Sequence, residues 1–99
     1  MNFKVQIMSN NKPYFLLDIL STNPFRYTLT RDSDKALKLD QNTAWKSVRN
    51  IAIEFILHSL AENMSFFIID DNGKTQYINV KDLIHEMLKS GDYQIVKVG

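Results

Sequence analysis

The feature that most constrains this fold is the segment 64–80, MSFFIIDDNGKTQYINV, in which two strand-like runs flank the dipeptide Asn72-Gly73. Both residues of an Asn-Gly pair tolerate positive φ, which a type I′ turn between two strands requires. The segment therefore predicts an antiparallel hairpin with a two-residue loop. That loop length fixes the register and predicts three opposed pairs: Ile69 with Gln76, Ile68 with Tyr77, and Phe67 with Ile78.

Other segments of the chain have the patterns of strands. Residues 3–8 and 25–30 alternate apolar with polar or longer side chains, which is the period of a strand. Residues 13–20 form a mostly apolar run between turn formers, and residues 36–40, ALKLD, predict a short strand. Residues 93–98, YQIVKV, have few polar side chains and predict a last strand inside the sheet.

Two helices complete the pattern. The first is predicted from about residue 42 to residue 61, with Asp40 or Asn42 as its N-cap. Its apolar positions cover more than half of the helix circumference, which is wider than one sheet usually covers. The second helix is predicted to follow the cap Asn79 and to end at Gly91, where a positive φ is favourable.

The predicted order is β-β-β-(β)-α-β-β-α-β, in which the bracketed strand is short. This order indicates an α+β fold, a mostly antiparallel sheet with one long and one short helix packed on it. From residue 36 onward the order is β-α-β-β-α-β, which is the split βαβ pattern, with the N-terminal hairpin as an addition. The 99 residues predict a single domain, 1–99, with one modest core.

Composition excludes several classes of site. The chain has no cysteine, which excludes disulfides, thiolate metal sites and a cysteine nucleophile. A small domain without disulfides fits a reducing compartment. The N-terminus has no signal-peptide pattern, and the apolar-rich stretch 51–60 includes Glu54 and His58 and is too short to span a bilayer. We therefore expect a cytoplasmic protein without a membrane partner.

Residues that carry catalysis are sparse. The two histidines, His58 and His85, fall on different predicted helices, whereas a zinc site needs three or four ligands. The carboxylates at 32–34 and 70–73 lack the ligand spacing and closing glutamate of a calcium loop. No serine lies in a nucleophile elbow, and no glycine-rich loop suits a phosphate. We predict that the protein is not an enzyme and has no metal or cofactor.

Charge is unevenly distributed along the chain, whose formal net charge is +1. Residues 26–49 carry six Lys/Arg and three Asp, a balance of +3, whereas residues 50–99 carry four Lys and seven Asp/Glu, a balance of −3. Such asymmetry serves a partner surface or simply two solvated faces. The predicted partner-binding basic face, here called the basic segment, consists of Arg26, Arg31, Lys35, Lys38, Lys46 and Arg49.

The wide apolar arc of the long helix predicts a second contact. Monomers seldom expose large contiguous apolar patches, so we expect either that the helix is covered on two sides within the chain or that part of the arc contacts another chain, a partner protein or a second copy. Arg49 falls within this arc by helical angle, where it either extends to solvent or pairs across an interface. The predicted association surface consists of Ile53, Ile56, Leu57 and Leu60.

Nucleic-acid binding is the alternative function. Aromatic side chains on strands stack with bases, and nearby cations hold phosphates. The Lys/Arg-Gly-aromatic run of the RNA-recognition motif is absent: the strand after Asn72-Gly73 has the sequence TQYINV instead. The candidate residues are Phe25, Tyr27, Phe66, Phe67, Tyr77 and Tyr93, with Arg26, Lys38 and Arg49.

Residues 27–48 contain a strand that ends in threonine and an acidic residue, then Ala-Leu-x-Leu-Asp, then a helix with alanine four residues on. This element resembles one in small uncharacterised proteins of Gram-positive phages and mobile elements. The matching residues are Thr30, Asp32, Ala36, Leu37, Leu39, Asp40 and Ala44. The resemblance implies a protein that binds and blocks a host protein, as anti-defence proteins such as anti-CRISPRs do. The leading expectation is thus a non-enzymatic protein-binding module of phage or mobile-element origin.

Overall fold

The computed structural model describes residues 2–57 and 64–90, which form a five-stranded antiparallel sheet with two α-helices packed on one face. The strand order is β3-β2-β1-β4-β5. The predicted α+β class, with one long and one short helix, is confirmed. The elements are β1 Phe3–Ser9, β2 Lys12–Thr22, β3 Phe25–Thr30, α1 Gln41–Leu57, β4 Met64–Asp70, β5 Thr75–Asn79 and α2 Val80–Ser90.

The core lies between the central strands and the two helices. Alternate residues of β1 and β4 are buried from Phe3 to Ile7 and from Met64 to Ile68, as expected for a sheet with one covered face. Helix α1 covers this face with small and branched side chains spaced three and four residues apart. The fully buried residues include Val5, Ile7, Phe66 and Ile68 of the sheet and Ala44, Val48, Ile51 and Ala52 of α1.

The loop of the β4–β5 hairpin has three residues, not the predicted two. Among its residues only Gly73 has a positive φ, 79°, and its N–H donates to the Asp70 carbonyl at 3.0 Å. The Asp70 carboxylate accepts hydrogen bonds from the N–H groups of Asn72 (2.9 Å) and Lys74 (2.8 Å). A turn followed by one left-handed residue is the usual three-residue hairpin loop, and the Asp70 side chain stabilises it here.

The longer loop shifts the strand register by one residue, so the predicted pairs are wrong. Phe66 lies opposite Ile78, and Phe67 lies opposite Tyr77. Because a shift of one residue exchanges the two faces of a strand, Ile78 is buried beside Phe66 while Tyr77 is exposed on the other face.

The split βαβ order does not form within the described residues. Residues 36–40 contribute only a single bridge, between Leu39 and Phe3, instead of the predicted strand. The Leu37 N–H donates to the Leu16 carbonyl at 2.8 Å, so this segment runs between β2 and the start of β1. Strand β1 is the middle strand of the sheet. The prediction instead treated the N-terminal hairpin that contains β1 as an addition to a split βαβ core.

Each helix has a predicted cap: Asp40, and not the alternative Asn42, caps α1, and Asn79 caps α2. The Asp40 carboxylate accepts the Thr43 N–H at 2.7 Å, and α1 begins at Gln41. The Asn79 side-chain carbonyl accepts the Lys81 N–H at 2.9 Å at the start of α2. Each cap satisfies a backbone donor that the first helical turn leaves without a partner.

Several predictions fall outside the described residues. These are the last strand at 93–98, the end of the first helix at residue 61, and the terminator Gly91. Within residues 2–57 and 64–90, neither helix combines the length and the apolar character needed to cross a membrane.

Candidate functional site

An open groove of about 660 Å³ runs along the N-terminal half of α1 and reaches α2. Its residues on α1 recur at intervals of three and four positions, which places them on one face of the helix. We call this surface the helix groove. It is lined by Asp40, Gln41, Asn42, Trp45, Lys46, Arg49 and Glu86.

Trp45 is the apolar centre of the helix groove. Its half-buried side chain packs against the core and also lines the groove, so the ring is held in place while part of it stays accessible. Lys46 and Arg49 are exposed beside it. The groove therefore combines one anchored aromatic ring with two positive side chains.

Asp40 contributes a fixed negative charge at one end of the helix groove. Its carboxylate accepts hydrogen bonds from the Thr43 N–H at 2.7 Å and the Thr43 hydroxyl at 3.0 Å. These hydrogen bonds favour the ionised form and lower the pKa of Asp40. The carboxylate is thus occupied in capping α1, which leaves Glu86 as the other acidic group of the groove.

The structure brings two members of the basic segment together, Lys46 and Arg49, in the helix groove. Arg49 is exposed, which fits both expectations for it, a side chain that extends to solvent and one that pairs across an interface. Arg26 lies on β3 and lines a different groove.

The other basic residues lie on the chain between β3 and α1. The Arg31 guanidinium lies 5.7 Å from the centroid of the Tyr14 ring, within cation–π range. The Lys38 ammonium lies 3.8 Å from the Asp71 carboxylate, and both side chains are about half exposed. Lys35 is exposed at the end of a short 3₁₀ helix, Ser33–Lys35.

A second groove, of about 510 Å³, lies between α1 and the hairpin formed by β2 and β3. We call it the ribbon groove; it is lined by Leu20, Phe25, Arg26, Tyr27, Leu29 and Glu54. Burial, followed by the nearby Glu54 carboxylate, raises the pKa of Tyr27 to about 12. Glu54 was not among the predicted site residues, since its place in the groove depends on where α1 packs relative to this hairpin.

The strand aromatics that were predicted as one base-stacking set lie on opposite faces of the sheet. Phe66 is in the core, and Phe25 and Tyr27 pack partly against it. On the other face the rings of Phe67 and Tyr77 lie 5.2 Å apart at 57°, and Tyr77 is 60% exposed. The sixth aromatic, at position 93, falls outside the described residues.

The predicted association surface is only partly described. Ile53 is half-buried and packs against the core. The side chains of Ile56 and Leu57, and the whole of Leu60, lie outside the described residues. Self-association through these four residues stays a prediction.

Metal ligands do not cluster in the part of the chain that the structure describes: no group of three or more histidine, aspartate or glutamate side chains there could hold an ion. His85 is exposed on α2, and His58 falls outside the described residues.

Comparison of the chain with models of protein families, with curated proteins and with solved structures finds no match. Function must therefore be inferred from the grooves themselves.

Proposed function

We propose that this chain is a small, non-enzymatic protein-binding module whose helix groove contacts the partner. The observation that carries the proposal is the position of Trp45, which rests against the core and lines the groove beside Arg49. Tryptophan and arginine are the residue types that most often supply the binding energy of protein interfaces. A ring that is already held by the core loses little conformational entropy when a partner covers it.

The charges of the helix groove indicate the chemistry of the partner surface. Lys46 and Arg49 are exposed, whereas Asp40 is already occupied by Thr43. A partner that places an apolar side chain on Trp45 and a carboxylate near Arg49 satisfies both features. Exposed charges of this kind mainly raise the rate of association and select the partner.

The proposed partner is a host protein in the bacterial cytoplasm, which the module blocks by occupying its surface. The resemblance of residues 27–48 to a segment of phage and mobile-element proteins supports this assignment, and so does the lack of cysteine. The residues of the helix groove up to Lys46 fall within that segment.

The test is affinity capture from host lysate with the full chain, with nuclease present throughout and with quantitative mass spectrometry. The variant Arg49→Glu reverses one exposed charge in the helix groove, and Lys12→Glu reverses an exposed charge at the start of β2. Both changes should leave the fold intact, since exposed charges contribute little to stability. We expect the wild type and Lys12→Glu to capture the same protein in similar amounts. The captured amount should fall at least about tenfold with Arg49→Glu.

Two outcomes would contradict this proposal. In the first, Arg49→Glu retains the same partner as strongly as the wild type does. In the second, nuclease releases every captured protein, which would mean that the contacts are made through nucleic acid.

The alternative, a small RNA- or DNA-binding domain, is favoured by one observation. Tyr77 is 60% exposed beside Phe67 on the sheet face opposite the helices, and base stacking on such rings is a common mode of single-strand binding. In this case Tyr77→Ala should weaken binding of a labelled single-stranded oligonucleotide. Log affinity should also fall steeply and linearly with log salt.

A further inference from the structure

Among the described strands, β3 is an edge of the sheet. It pairs with β2 along its length, and no other strand in residues 2–57 or 64–90 pairs with its second side. A strand with one free side presents unpaired backbone N–H and C=O groups, which are a template for another extended segment.

The ribbon groove lies directly beside this edge. Phe25, Tyr27 and Leu29 are alternate residues of β3 and therefore share the face that looks toward α1. Glu54 comes from α1 and lines the same groove. Arg26 also lines the groove, but strand alternation assigns its side chain to the other face.

Glu54 is a charge that the described residues leave without a counter-ion. It is exposed, and none of the Lys or Arg side chains in the described ranges forms an ion pair with it. Tyr27 cannot supply the counter-charge, because a phenol is either neutral or negative. A carboxylate next to aromatic rings is a favourable site for a cation.

We infer that β3 binds an extended segment of a partner protein by strand addition, with a lysine or arginine of that segment seated in the ribbon groove beside Glu54. Main-chain hydrogen bonds to the free edge would supply affinity, and the groove would select the side chain. This contact is separate from the helix groove and does not depend on it.

A second copy of the chain fits this surface less well. Two β3 strands could pair antiparallel across a twofold axis perpendicular to the sheet. The helix-covered faces of the two sheets would then lie on the same side. The second β3 would therefore offer Phe25, Tyr27 and Leu29 to the groove, and Glu54 would still lack a cation.

The test uses the ¹⁵N-labelled full chain and two capped hexapeptides, Thr-Val-Lys-Val-Thr-Val and the same peptide with glutamate in place of lysine. We expect the lysine peptide to shift the amide resonances of β3 and to bind about fivefold more tightly than the glutamate peptide. Glu54→Gln should reduce this preference to less than about twofold. The matched control Glu86→Gln, in the helix groove, should keep it.

Three results would overturn the inference. One is the lack of any β3 shift at millimolar lysine peptide. Another is equal affinity for the two peptides, which would remove the role of the cation. The third is slow hydrogen exchange in the free chain at the β3 amides that do not donate to β2, because that would show an edge already paired within the chain or with a second copy.

Discussion

Leu39 is paired with Phe3 through two backbone hydrogen bonds, from the Phe3 N–H to the Leu39 carbonyl at 2.7 Å and from the Leu39 N–H to the Phe3 carbonyl at 2.8 Å. This bridge joins the segment before α1 to the central strand of the sheet. The next residue, Asp40, caps α1. The pair therefore determines where the helix starts and, with it, the position of the helix groove.

Replacement of Asp40 by alanine should lower the thermal midpoint by roughly a few degrees, because the Thr43 N–H loses its acceptor. Asp40→Asn is the matched control, since its side-chain carbonyl can still accept that bond. Calorimetry of both variants measures the difference. Equal midpoints for Asp40→Ala and the wild type would mean that the cap does not stabilise the helix.

The same carboxylate predicts a pH dependence. The folded-state pKa of Asp40 is lowered from the ordinary 3.8, so the folded state binds its proton less readily than the unfolded state does. This contribution to stability is present above pH 3.8 and is lost as the pH falls through the lowered value. Urea titrations at several acid pH values should show a shallower loss of stability in Asp40→Asn than in the wild type.

The raised pKa of Tyr27 predicts a loss of stability at alkaline pH, whereas that of Asp40 occurs at acid pH. Its folded-state pKa is about 12 against an ordinary 10.0, so its contribution to stability is present below pH 10.0 and is lost as the pH rises toward 12. Ultraviolet titration should show one phenolate forming near pH 12, and Tyr27→Phe should remove that step. Glu54→Gln should move the step to lower pH, because a negative neighbour is lost. A titration unchanged by Tyr27→Phe would contradict this assignment.

Gly73→Ala should reduce the free energy of unfolding by about 1 kcal/mol through backbone strain. The space is open, because a Cβ atom at this position meets no atom within 4 Å, and the cost comes from the φ of 79° alone. Gly73→Asn should cost less, since asparagine tolerates this conformation better. Chemical denaturation of the two variants gives the comparison, and a larger loss for asparagine would be inconsistent with the loop geometry.

Two isoleucines of α1 separate core packing from self-association. Ile51 is fully buried, so Ile51→Ala should cost about 3 kcal/mol. Ile53 is half-buried, and Ile53→Ala should cost about 1 kcal/mol. If Ile53 also belongs to an association surface, sedimentation should detect a dimer that Ile53→Ala weakens. A wild-type chain that stays monomeric at high concentration would exclude self-association through that surface.

Local chemistry was sufficient to predict the elements that depend on a few adjacent residues. The existence of the β4–β5 hairpin followed from two β-forming runs around Asn72-Gly73. The cap Asn79, and Asp40 as one of two candidate caps, followed from their places before apolar helical patterns. In each case the side chain and the backbone group that it contacts lie within four residues. The α+β class followed from the order of such elements.

The hairpin register depended on burial as well as on the turn. Asn-Gly fits both a two-residue and a three-residue loop, and only the three-residue loop places Ile78 on the covered face opposite Phe66. Since the two registers differ by one residue, the choice exchanges the buried and exposed sets of β5. The register is thus selected by the burial of Ile78 in the core between the sheet and the helices.

The conformation of residues 36–40 and the positions of both grooves depended on tertiary structure alone. The segment forms one bridge to Phe3 and one hydrogen bond to Leu16, partners that lie 20 or more residues away in the chain. Glu54 comes near Tyr27 only because α1 and the β2–β3 hairpin lie on either side of the ribbon groove. Sequence periodicity gives the face on which a side chain lies, but it does not give which distant element covers that face, because that depends on how the whole sheet and its helices bury apolar surface together.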